Sequence, residues 1–383
     1  MPVKSRGKLF AWGAGHSGAL GQGPSEDKLT PQPVPGLPEI TAVYAGSASA
    51  YALDEEGQVW SWGWDAYQHL LGRGIVEYPL PMIPTVLREM GHKHTGERFE
   101  GDGGVGEPGV VEGLPAVLEL AVADSNVFAL TTEGEVWVWG DRAGLGIKSK
   151  HSASRPQRIE VLSNITQISA SDDGLTFYAL DAEQRVWSWG SGYEGELGHG
   201  KRRNDPVPKP IPSLQGVRSV HAGNSCAWAL LNDGSVWFWG HGQGLELTVD
   251  NNYRIGEPLR VDALDEIVAL YVWRAGCLAR NSAGETFAVG ALLEGVLDIS
   301  FNDQLVVRAE GYDAFTHISL GDDHGLAIDA TGQLFSFGEE ENGALGNGLH
   351  AEDEFHPPTA VAGMANVIYC NAGNSFSFAI VSE

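Results

Sequence analysis

One short pattern, an aromatic strand closed by glycine, recurs seven times and restricts the fold more than any other feature. It reads LFAWG at 9–13, VWSWG at 59–63, VWVWG at 136–140, VWSWG at 186–190, VWFWG at 236–240, TFAVG at 286–290 and LFSFG at 334–338. The closing glycines are 50, 77, 50, 50, 50 and 48 residues apart. A fixed period of this length marks a repeat architecture in which each unit needs its neighbours to bury its apolar faces.

A second apolar segment precedes each later copy: AGSASAYAL at 45–53, VADSNVFAL at 122–130, SDDGLTFYAL at 171–180, AGNSCAWAL at 222–230, RAGCLAR at 274–280 and GDDHGLAI at 321–328. A seventh, AGNSFSFAI at 372–380, has no aromatic strand after it, and LFAWG has no such segment before it. Turn signals such as Glu55-Glu56-Gly57 and Asn232-Asp233-Gly234 join each pair into a hairpin. A Pro-rich run such as TPQPV at 30–34 and an apolar run such as ITAVY at 40–44 complete four strands per period.

The spacing therefore predicts an all-β, seven-bladed β-propeller with four-stranded blades, its ring closed by pairing of the N- and C-terminal strands. Residues 1–383 form a single domain on this reading. The stretched interval places a polar, Gly-rich flexible insertion at 77–106. Nine of the twelve tryptophans belong to the repeated strand, which assigns them to packing between blades.

With 24 basic and 50 acidic residues the formal charge is −26, which disfavours direct nucleic-acid binding and adhesion to anionic membranes. No apolar stretch follows the basic start, and the most apolar run, 267–279, is broken by Arg274 and is too short to span a bilayer. The expected location is the cytoplasm, with the nucleus as the alternative and secretion excluded. Cys226, Cys277 and Cys370 lie at no metal-ligand spacing and read as buried, reduced thiols. GxGxxG occurs at 13–18 and 190–195, but each copy runs into a Pro-rich segment instead of a phosphate-cradling helix. No Ser/His/Asp or Cys/His set is supported, so no catalytic residue, metal or cofactor is expected and the chain does not read as an enzyme.

These motifs resemble the regulator of chromosome condensation repeat family, whose Gly-x-Leu-Gly loop appears here at 18–21, 195–198 and 343–346. The resemblance covers essentially the whole chain and implies the propeller. It leaves function open, because that fold hosts nucleotide exchange on a small GTPase, photoreception, enzyme inhibition and scaffolding. The turn histidine survives only as His324, and the photoreceptor's Gly-Trp-Arg-His-Thr signature is absent. Family exchange factors place an essential aspartate at an inner turn, and Ala123-Asp124-Ser125 resembles that site.

Hairpin geometry gathers the start of each inbound strand and the end of each aromatic strand on one face. An inner ring there contributes Asp124, Asp172, Trp273, Arg274, Asp322 and His324. An outer ring contributes Trp64, Tyr67, Arg142, Tyr193, His241 and Glu340. Mixed aromatics, arginines and acids suit an interface with anchors and a charged rim; an ordinary solvated loop surface would show the same composition. Lys148, Lys150, Lys201, Arg202 and Arg203 form a basic patch able to orient an acidic partner. The favoured function is a protein-interaction scaffold that binds its partner through this face. The alternatives are a guanine-nucleotide exchange factor for a small GTPase and a propeller-type enzyme inhibitor.

Overall fold

The repeats fold into seven antiparallel sheets of four strands each. The computed structural model describes residues 5–23, 26–65, 69–74, 104–141, 144–147, 149, 151–171, 174–242, 245, 253–290, 293–297, 299, 301, 304–349 and 351–382. Blades are numbered here by the copy of the aromatic-glycine motif they contain. Blade 2, from the axis outward, runs Ile40–Ala45, Ser49–Asp54, Val59–Trp64 and Gly104–Val110. Blade 7 runs Phe315–Leu320, His324–Asp329, Leu334–Glu341 and Ala351–Ala360.

Blade 1 is built from both chain ends. Its inner strands, Val367–Ala372 and Phe376–Val381, pair with Lys8–Gly13 and then Lys28–Pro33. The closing register runs from Lys8↔Val381 to Gly13↔Phe376. The innermost strands then contact one another around the axis, Val367–Ala372 meeting Ile40–Ala45 to complete the circle.

Position in the blade explains composition. The second strands lie between neighbouring sheets on both faces, so Ser49–Asp54, Asn126–Thr131 and Thr176–Asp181 are buried at all six positions and show no polar alternation. The outermost strands are sheet edges, and Pro31, Pro33, Pro108, Pro156, Pro208 and Pro258 withhold N–H groups there. The two motif tryptophans divide their work. The second of each pair is buried, whereas Trp60, Trp137 and Trp187 are half-buried and donate to Asp54 (3.0 Å), Glu135 (3.2 Å) and Asp181 (2.8 Å).

The three Gly-x-Leu-Gly loops, and the related His69-Leu70-Leu71-Gly72 loop of blade 2, clamp the next blade. Buried tryptophan Nε1 groups donate to loop carbonyls of the preceding blade: Trp62 to Ala19 (2.8 Å), Trp139 to Leu70 (2.7 Å), Trp239 to Glu196 (2.7 Å) and Trp12 to Ala344 (2.9 Å). A glycine just beyond each of these loops donates to the neighbour's outer strand: Gly23 to Gly106, Gly74 to Ser154, Gly200 to Gly256 and Gly348 to Leu29. The GxGxxG glycines at 13–18 and 190–195 are packing positions, since a Cβ added at any of them would lie 2.0–2.8 Å from neighbouring backbone. Around the axis, side chains bridge neighbouring inner strands: the Gln167 amide both donates to the Val220 carbonyl (2.9 Å) and accepts from its N–H (3.0 Å).

The insertion expected at 77–106 is shorter at its far end, because the outer strand of blade 2 already begins at Gly104. Residues 77–103 lie outside the described residues. No described helix is long and apolar enough to cross a membrane.

Candidate protein-docking face

Strand direction places two kinds of turn on the face opposite the chain termini. The short turns between the first and second strands surround the axis. The longer loops after each motif glycine surround them. The two rings are stapled together within blades. The residue after the motif glycine donates its N–H to the inner turn: Trp64 to Ala48, Asp141 to Ser125, Ser191 to Leu175, His241 to Ser225, Glu339 to Asp323 and Ala14 to Ser375, all within 2.7–2.9 Å.

Asp124 sits exposed on the blade 3 inner turn. That turn is closed by Ala123 N–H donating to Asn126 O (2.9 Å), and the Asn126 amide donates to Asp141 O (2.7 Å). The Ser47 hydroxyl of blade 2 donates to the Asp124 carboxylate across the seam. A rigid turn thus offers a carboxylate to the solvent beside the axis.

Arg274 is the inner-ring cation. Its backbone is left-handed (φ 49°), its guanidinium stacks 4.5 Å from the Trp273 ring, and it pairs with Asp322 at 3.4 Å. Asp323, beside it, has its carboxyl raised by burial and by the charges of Asp322 and Glu341, with Arg274 opposing the shift.

Blades 4 and 5 contribute a second constellation. Tyr193 (64% exposed), Leu175 (52%) and Tyr253 (41%) stand out from the surface. Next to Tyr193, burial would raise the Glu194 carboxyl, but His241 (3.1 Å) and Arg254 (2.6 Å) hold it below the usual carboxylate range. Arg202 donates to Arg254 O (2.9 Å), so the loop carrying the exposed Lys201, Arg202 and Arg203 adjoins these aromatics. Lys201 and Arg203 line a cavity of about 290 Å³ with His199 and Lys209.

Three residues expected on this face are buried instead. Trp273 donates from Nε1 to Gly321 O and lies under Arg274. His324 turns its ring across the seam to Ser377 (2.8 Å). Glu340 points inward and accepts from Leu345 N–H (3.2 Å), while Glu339 and Glu341 on either side are exposed. Strand alternation sends every second side chain inward, and these three occupy inward positions that support the face from below. Trp64, Asp124, Tyr193, His241, Arg274 and Asp322 do reach it. Tyr67, Arg142, Asp172, Lys148 and Lys150 lie outside the described residues. Leu175, Tyr253 and Arg254, one of the two partners of Glu194, carried no motif that singled them out.

A closed seven-bladed propeller whose inner turns and outer loops gather on one face defines the class of protein. Residues 8–379 match the RCC1-like domain, and the chain belongs to that family. It is 26% identical over 425 residues to the guanine nucleotide exchange factor SRM1 of Saccharomyces cerevisiae, covering 96% of this chain and 86% of that protein. It is 27% identical over 344 residues to human E3 ubiquitin-protein ligase HERC2, covering 85% of this chain but spanning only 6% of that relative's length. Among solved structures, Prp20p of Saccharomyces cerevisiae superposes with a TM-score of 0.79 at 24% identity, covering 100% of this chain and 93% of that one. That structure is described with its binding properties to Gsp1p and histones.

Proposed function

We propose that this propeller binds a small GTPase through the Asp124 face and promotes release of its guanine nucleotide. The observation that carries this reading is Asp124 itself, an exposed carboxylate on a turn braced by Ser47 and tied to the outer loop through Asn126. Likeness to SRM1 along nearly the full length of both proteins supports it. The chemistry needs no bond made or broken. A fixed anion presented to a phosphate-binding loop competes with the nucleotide's phosphates for the same N–H and ammonium groups. Binding to the nucleotide-free state then lowers nucleotide affinity by thermodynamic linkage.

The test is release of a fluorescent GDP analogue from purified small GTPases, beginning with Gsp1p, the partner named for Prp20p. Substoichiometric wild-type chain should accelerate release, and Asp124→Asn should reduce that acceleration by about tenfold to a hundredfold, as expected for an interface hot spot. Absence of acceleration across the GTPases tried would overturn the exchange reading. Binding alone, as in a scaffold or an enzyme inhibitor, is favoured by a different observation: the exposed Tyr193, Leu175 and Tyr253 supply anchors away from Asp124.

A further inference from the structure

The outer strand of blade 7, Ala351–Ala360, is ten residues long, against three to seven for the other outer strands. Its partner, Leu334–Glu341, has eight residues, where the other third strands have four to six. The extra length lies beyond the Gly338↔His356 pair and includes Glu340↔Glu352 and Glu341↔Ala351. It therefore continues the hairpin beyond the motif glycine, on the side of the longer loops, as a two-stranded ribbon.

One side of that ribbon is an open edge. Ala351–Ala360 is the terminal strand of its sheet, and no described strand pairs with its far side. Prolines 357 and 358 blunt the lower half, but residues 351–355 contain none. The pairing skips residues 353 and 354 between Glu339↔Phe355 and Glu340↔Glu352, a bulge in the proline-free half; on either side of it the N–H and C=O groups turned outward are a short main-chain template for another strand. Every other outer strand of six or seven residues carries at least one proline within its short span.

Charge selects the occupant. Twelve acidic residues and no Lys or Arg follow Arg308. Glu339 and Glu341 are exposed on the ribbon, and the added strand reads Ala-Glu-Asp-Glu at 351–354. A second copy of this edge would set acid against acid, which destabilises cross-strand pairing. We infer that the projecting half of this strand is a docking edge for an extended, Lys/Arg-rich segment of a partner protein, added as a fifth strand of blade 7. Main-chain bonds would supply affinity, and the net negative charge of this stretch of sequence would select the partner. This surface is separate from Asp124, so the inference stands or falls independently of the exchange reading.

Fluorescence anisotropy on the full chain tests it with a labelled peptide of alternating lysine and valine. A second peptide of the same sequence, N-methylated at alternate amides, keeps the charge but loses the outward donors. The unmodified peptide should bind more tightly by about tenfold or more, the worth of one or two net main-chain hydrogen bonds. Glu352→Lys with Glu354→Lys should weaken it by a similar factor while the thermal midpoint holds. Equal affinity of the two peptides would mean unspecific electrostatic adhesion and overturn the proposal. Undiminished binding by the charge-reversed variant, or no saturable binding to wild type, would also overturn it.

Discussion

His324 opens its strand with the ring aimed into the seam between blades 7 and 1. The Ser377 hydroxyl donates to Ala344 O (2.9 Å), which commits its proton, so His324 Nε2 is the donor in the 2.8 Å contact with Ser377. Burial pushes the imidazole down to about 4. A folded value below the unfolded one means the stability is fully present above about pH 6.5 and is lost as pH falls toward the folded value. Between pH 7.5 and 5.0 this histidine should remove about 2 kcal/mol. Urea denaturation at both values should therefore show a pH dependence flatter by about that amount in His324→Gln, whatever the variant's own stability. Equal slopes would mean that the seam does not hold a neutral ring. At this scale the sequence was least legible. His324, Trp273 and Glu340 looked like surface residues because turn position alone does not say which way a side chain points. Glu340 did carry a signal: in a run of three acids on a strand, alternation turns the middle one to the opposite side from its neighbours.

The loop beyond the motif glycine ties one blade to the next through a tryptophan at four of the seven seams. Gly198 shows why glycine is required there. Its φ is +71°, and an added Cβ would lie 2.9 Å from Ile211 Cδ1 and 3.2 Å from Trp239 Nε1. Gly284, in the blade 6 hairpin turn, shares the left-handed backbone (φ +84°) but has nothing within 4 Å of the same position. Gly284→Ala should cost about 1 kcal/mol from backbone strain alone. Gly198→Ala should cost about 2–4 kcal/mol, because it also displaces Ile211 and the Trp239 clamp. Equal losses in equilibrium unfolding would show that the clamp adds nothing. The loop motif was visible in the sequence, but its work was not, because the tryptophan and its acceptor lie 43 residues apart, Glu196 in one blade and Trp239 in the next. Blade 6 departs from the pattern. Val289 takes the place of the buried tryptophan and packs in one cluster with Leu245 of the blade 5 loop, while Leu293, Val296, Leu297 and Phe301 of the blade 6 loop pack with Phe337 of blade 7.

The whole molecule was the most legible level, since seven motif copies and the split first and last units dictate a ring closed by both ends. What the ring does depends on where it gathers charge. Arg202 and Arg203 stand on blade 4, and the basic-free stretch after Arg308 occupies blade 7 and the inner half of blade 1. The docking face is thus polarised across its diameter, which orients an approaching partner before contact. Asp124 lies between those poles on blade 3. The most direct measurement of the account is amide hydrogen exchange on a complex of this chain with a nucleotide-free small GTPase. Protection should concentrate in the turns at 46–48, 123–125 and 321–323. The hairpin turns at 55–58 and 132–135, on the opposite face, should exchange as in the free chain. Protection confined to that opposite face, or no protection at the Asp124 turn, would contradict it.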